Sequence, residues 1–262
     1  MPRTPTPLVT AAAVAVTAVP SLLQFVLPAL EPALRRDPAA VAGGQWWRLL
    51  TSLVTQDGGI AGTAFNLVTL AVVGCLAERA LGPWRWLALY GAGAVCGQVA
   101  GMLWGTVGAG NSIAVCGLAG GLAIAALRER AGATRTENTR PESTRAGSPE
   151  AGTPPAGTSR TGASRAGALA GSVAAFYALI LTAAGLLGGS TAGTVALVVL
   201  CAAGAQLVVH RERMPRWVFP AVVTAGGALL AAFSDLHGPA LLGGLVCGLA
   251  VAGRPAAPAR EV

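Results

Sequence analysis

Apolar stretches long enough to cross a bilayer, separated by short polar breaks, occupy most of this sequence. A spanning helix needs roughly 20 mostly apolar residues, because each residue adds about 1.5 Å and the hydrocarbon layer is about 30 Å thick. Runs that reach or approach this length lie at 8–30, 60–80, 85–106, 112–128, 168–188, 191–209, 217–233 and 237–253, which predicts an all-α bundle of about eight spans. The shorter runs suffice if they are buried inside the bundle. The first run is too long for the apolar core of a cleaved signal peptide and is followed by Glu31 and Pro32, not by a small-residue cleavage site, so it is read as a retained span.

One stretch breaks the pattern. Residues 129–166 are rich in Arg, Thr, Ser, Gly, Pro and Glu and hold no aromatic or large aliphatic side chain. Such a segment cannot bury enough apolar area to offset the entropy of ordering, which predicts a disordered cytoplasmic linker. It separates a first block of four spans, residues 1–128, from a second block, residues 167–262, with four spans and a short tail. The blocks show no convincing mutual repeat, so an inverted-repeat transporter is not signalled.

Composition supports a membrane protein: 53% of the residues are hydrophobic, 11% are charged, and the mean hydropathy is +0.62. The net charge is +7 and all basic charge is arginine. With a cytoplasmic N-terminus, the loops predicted on the cytoplasmic side carry Arg79, Arg85, the linker arginines, Arg211, Arg213, Arg216 and Arg254. The outer loops at 105–111, 188–190 and 234–236 carry none, as the positive-inside rule requires. A multi-pass protein of the cell (plasma) membrane with both termini cytoplasmic follows. The outer segment 31–59 is the exception, with Arg35, Arg36 and Arg48, and is expected to lie along the interface.

No basic stripe with interleaved aromatics appears, which argues against nucleic acid. The five cysteines all sit in apolar runs without zinc-type spacing, so neither a metal nor a small-molecule cofactor is expected. Ionisable residues are nearly absent from the spans, which disfavours a small-molecule carrier.

Several motifs fall at informative depths. Gly44-Gln45-Trp46-Trp47-Arg48 precedes the second span, Phe65-Asn66-Leu67 lies within it, and Gly74, Glu78, Gly82 and Arg85 follow at four- and three-residue spacing. Gly110-Asn111-Ser112-Ile113-Ala114-Val115-Cys116-Gly117-Leu118 opens the fourth span, and His237 opens the last, with Ala240, Gly244 and Gly248 beyond it. Taken together this text resembles the rhomboid family of intramembrane serine proteases, whose pattern around the nucleophile is G-x-S-G-x-x-x-G-L. The resemblance implies a six-helix core, here with an inserted helical hairpin at 168–209. It also implies Ser112 as nucleophile, His237 as base, and Asn66 with the Ser112 N–H as oxyanion donors. Partners would be transmembrane protein substrates or helices in the lipid bilayer. Glu78 is expected to be structural, and His210 to be a solvated loop residue.

Three departures keep a second function open, a catalytically inactive rhomboid-like protein that binds membrane helices. Ile113 replaces the glycine after the nucleophile, and Gly62 replaces a histidine that would donate to the oxyanion. The pattern also admits a second register in which Ala240-Leu241-Leu242-Gly243-Gly244 matches the family's A-H-x-G-G and Leu241 takes the base position.

Overall fold

A computed structural model of the chain describes residues 6–138, 157–187, 191–215 and 217–251. These form eleven helices, eight of them at the positions of the apolar runs. The first is α1 (Leu8–Leu23), and three short helices follow in the outer segment: α2 (Leu30–Leu34), α3 (Pro38–Ala42) and α4 (Arg48–Thr51). Then come α5 (Gly59–Leu81), α6 (Pro83–Leu103), α7 (Ser112–Asn138), α8 (Gly157–Leu187), α9 (Thr191–Val209), α10 (Val218–Ala232) and α11 (His237–Val251). Among the described residues, three helices are both long and apolar enough to cross a membrane on their own, at Gly59–Leu81, Pro83–Leu103 and Ala166–Gly185. The others are apolar but shorter. At about 1.5 Å per residue a 15-residue helix such as α11 reaches only about 22 Å, a length that fits a helix sheltered by its neighbours.

Two expectations change in detail. The first span stops at Leu23, earlier than the predicted residue 30. Pro28 accounts for this, because its ring disfavours helical backbone at the residue before it, and the chain turns before α2 begins. The segment expected to be irregular from 129 to 166 is helical at both ends, where α7 continues to Asn138 and α8 starts at Gly157. The arginine- and alanine-rich ends are good helix formers that simply continue an existing helix, which costs far less than nucleating one. Residues 139–156 lie outside those described.

The bundle is organised around α7. Every residue from Ile113 to Ala126 is buried, as an apolar helix without a polar face requires. Around it stand α5, α6, α8, α10 and α11, while α1 packs on α5 and α9 on α8. Small residues set how close the neighbours come. A Cβ on Gly93 of α6 would sit 2.6 Å from the Gly117 Cα, and one on Gly117 would collide with the Leu89 carbonyl oxygen. On the other flank, a Cβ on Gly244 of α11 would strike the Gly117 carbonyl oxygen, and one on Gly120 would lie 2.5 Å from the Leu241 oxygen. The three backbones are thus in direct contact, a packing mode suited to lipid, where apolar burial alone does not hold helices together.

Polar groups close the ends. Glu78 of α5 accepts the Val9 N–H (3.0 Å), the Thr10 N–H (2.7 Å) and the Thr10 hydroxyl (2.7 Å), satisfying first-turn amides of α1 that have no partner within their own helix. This gives Glu78 the structural role expected of it.

Replacing Gly117 by Ala should therefore lower the melting midpoint of the purified protein in detergent, by the equivalent of about 1–3 kcal/mol for an overpacked contact. Gly91→Ala is the control, since nothing lies within 4 Å of a Cβ there. Equal midpoints for the two variants would show that the three backbones are not held this close.

Candidate functional site

Ser112 and His237 are each the first residue of a helix, α7 and α11, and the glycine contacts between those helices bring the two starts side by side. The Ser112 Oγ lies 2.8 Å from His237 Nε2, across 125 residues of sequence. Both side chains are half-buried. Behind the imidazole, Nδ1 lies 2.6 Å from Asp235 Oδ1, and the same oxygen accepts the His237 backbone N–H at 2.9 Å. Burial pushes the Asp235 carboxyl up, but the bonds and charge of His237 outweigh it, and the group is held below its ordinary value of 3.8. His210, exposed just past the end of α9, takes no part in this contact.

On the α5 side, Asn66 Nδ2 donates to Gln56 Oε1 at 2.6 Å. Gln56 is fully buried and is clamped through its backbone, with Gln24 Nε2 donating to its carbonyl (2.8 Å) and its N–H donating to Gln24 Oε1 (3.0 Å). Gly110, at φ +146°, brings these groups to one point. A Cβ there would stand 3.2 Å from Gln56 Oε1, 3.5 Å from Ser112 Oγ and 3.6 Å from Asn66 Nδ2. As the first helical residue, Ser112 also presents an N–H that α7 cannot satisfy internally. A cavity of about 100 Å³ opens beside Ser112 and His237, bounded by Arg36, Asp57, Gly108 and Leu236 among others.

The outer segment contributes Arg36 to the wall of that cavity. Arg36 is 4% exposed. It donates from Nε to the Thr106 carbonyl (2.9 Å), from Nη1 to Gln98 Oε1 (2.8 Å) and from Nη2 to the Thr106 hydroxyl (3.2 Å). Its backbone pairs with Gly108 in both directions. Burial lowers the Arg36 guanidinium from its ordinary value, and the negative charge of Asp57 partly restores it. Arg48 donates to the carbonyls of Pro32 (3.0 Å) and Arg35 (3.1 Å), and Arg35 faces Glu31 at 3.9 Å. Of the outer arginines that depart from the charge rule, Arg35 and Arg48 are thus engaged within the segment itself, while Arg36 ties it to α6 and the loop after it.

An imidazole between a hydroxyl and a carboxylate, next to side-chain and backbone donors, is an arrangement suited to nucleophilic attack on a carbonyl. The Rhomboid domain family model matches residues 43–139. This stretch of the chain is similar to a rhomboid domain. Rhomboid protease GluP of Bacillus subtilis (strain 168) is 38% identical over 102 residues, which are 38% of this chain and 20% of that protein. YdcA of the same organism, whose name also refers to the rhomboid proteases, is 33% identical over 82 residues, 29% of this chain and 41% of its own length. The chain therefore aligns with less than half of either relative. No solved structure matches.

The rhomboid match takes in Asn66 and Ser112 and ends before α8, so His237 and Asp235 lie outside it. Within the match, Ile113 is also among the residues that line the cavity, and its branched side chain is held against the neighbouring helix. It is 2% exposed and packs against Gly97 of α6, where an added Cβ would come within 2.7 Å of the Ile113 Cβ. Gly97 supplies the room that Ile113 needs. Gly62, by contrast, faces open space, with nothing within 4 Å of a Cβ position, and no side chain there replaces the missing donor. Of the two registers, the contact with Ser112 is made by His237, while Leu241 is fully buried against α7.

Sequence reasoning gave no part in the site to Gln56, Arg36 or Asp235. Arg36 had left a signal, an arginine where the charge rule forbids one. Gln56 left none, being an ordinary loop residue until the fold surrounds it.

The depressed Asp235 carboxyl sets a pH dependence. A group whose folded value lies below the ordinary one adds stability that is fully present above that value and is lost as the pH falls through the folded value. Melting midpoints should therefore drop as the pH is taken downward from about 4, below the ordinary aspartate value. In Asp235→Asn that drop should be smaller. Parallel curves for the two proteins would show that the carboxyl is not stabilised by His237.

Proposed function

We propose that the protein is an intramembrane serine protease that cleaves transmembrane substrates through a Ser112–His237 dyad. The observation that carries this is the 2.8 Å contact between Ser112 Oγ and His237 Nε2. In the proposed reaction His237 Nε2 takes the Ser112 proton while Oγ bonds to the scissile carbonyl carbon. The negative charge on the carbonyl oxygen is met by the Ser112 N–H and by the Asn66 N–H not engaged by Gln56. His237 then gives its proton to the leaving amine as the C–N bond breaks. A water, deprotonated by the same nitrogen, releases the acyl group from Ser112.

The membrane arrangement proposed with it has α1, α5, α6, α7, α10 and α11 as the six-helix core, with α8 and α9 as the inserted hairpin. Two extra spans leave the sidedness of α10 and α11 unchanged, so both termini are cytoplasmic and the site opens to the outer face of the plasma membrane. Substrates are single-span proteins cut near the outer leaflet. The open space at Gly62 favours one alternative, a rhomboid-like protein that binds membrane helices without cutting them.

The purified protein should label with a serine-directed fluorophosphonate and cleave single-span test substrates in proteoliposomes. Ser112→Ala and His237→Ala should each abolish both signals, and Asn66→Ala should slow cleavage on the order of 10²-fold, as for loss of an oxyanion donor. Folded protein that neither labels nor cleaves any of a panel of helices would favour the helix-binding alternative.

A further inference from the structure

The reaction proposed above needs only a serine and a base, but the imidazole has a second partner that is too well built to be incidental. Asp235 lies in the short turn between α10 and α11, and Ser234 before it has φ 57°, the one left-handed non-glycine backbone among the described residues. Holding a serine there is unfavourable, because its Cβ crowds the backbone in the left-handed region. The return on that strain is local: the Asp235 N–H donates to the Leu230 carbonyl at 2.9 Å, and its side chain folds back under His237. A different element makes room for the carboxylate. On α8, a Cβ at Gly185 would land on Asp235 Oδ2.

We propose that Asp235 is a positioning residue for His237 and that the site is a three-membered Ser112–His237–Asp235 array. This rests on the protease function proposed above. Asp235 Oδ1, 2.6 Å from Nδ1, takes the Nδ1–H bond and so fixes the neutral imidazole as the Nδ1–H tautomer. The lone pair of Nε2 is then the one that faces Ser112. When Nε2 takes the serine proton, Nδ1–H stays on the ring and the carboxylate stays ionised, stabilising the imidazolium without accepting a proton itself. The competing role is a plain helix cap, since the same oxygen also accepts the His237 backbone N–H at 2.9 Å. Asparagine keeps a cap acceptor but loses the charge, so Asp235→Asn separates the two roles.

The chain has only two histidines, so 15N-histidine NMR of the detergent-solubilised protein gives two rings, and His210→Gln assigns them. His237 should appear as the Nδ1–H tautomer, and Asp235→Asn should change that signal. Cleavage by Asp235→Asn should lose kcat on the order of 10²-fold with KM unchanged, within the range by which a well-placed base contributes. An Nε2–H tautomer in the wild-type protein overturns the proposal outright, whether or not any variant folds. A variant with unchanged tautomer and unchanged kcat overturns it too and leaves Asp235 a cap. If Ser112→Ala leaves cleavage intact, the protease function fails, while the tautomer still decides what Asp235 does to His237.

Discussion

Three backbones meeting without side chains between them are the constraint on which the rest of the structure depends. Gly93, Gly117 and Gly244 let α6, α7 and α11 touch along their main chains, and that contact fixes the relative height of α7 and α11 to within a fraction of a turn. A helical turn is about 5.4 Å, so sliding one helix by a single turn would carry His237 far outside hydrogen-bond reach of Ser112. In lipid there is little hydrophobic penalty for such a slide, because the surroundings are as apolar as the helices themselves. Shape does the work that burial does in water.

The outer segment answers the complementary problem of holding polar chain in place above an apolar bundle. Gln98 on α6 accepts from Arg36 and donates to the Leu49 carbonyl (2.6 Å) and the Ser52 hydroxyl (2.8 Å). Gln24 at the end of α1 grips Gln56, which in turn holds Asn66. Each of these glutamine amides thus joins two or three elements and is not left to desolvate alone. The same network sets the cavity wall and orients the amide of Asn66. Its members come from α1, the outer segment, α5 and α6, so the site is specified by much more of the chain than the residues that would do chemistry.

The fold was legible because apolar run length carries nearly all the information about membrane helices. The eight helices fall where the runs lie, and the glycine spacing around Gly117 and Gly244 already indicated close packing. Helix ends were less legible, since proline and capping decide them locally, as Pro28 does after α1. Ser112, His237 and Asn66 could be picked out because the sequence around them resembles a family pattern. Gln56 could not, because its meaning comes from Gly110 and Asn66 lying against it in space.

Ile113, next to Ser112, shows why a departure from a pattern is better judged against its neighbours in space than one position at a time. A branched side chain there would crowd the site only if it pointed into it. On α7 the residue after Ser112 points about 100° around the helix, and in this bundle that direction is α6. Gly97 on α6 has surrendered its own side-chain volume at that spot, so the isoleucine is accommodated by a partner far away in sequence and next to it in space. Gly62 has no such counterpart in its surroundings, which are empty. The two positions are therefore unequal: the branched side chain at 113 is accommodated by the packing around it, whereas no neighbour fills the space at Gly62.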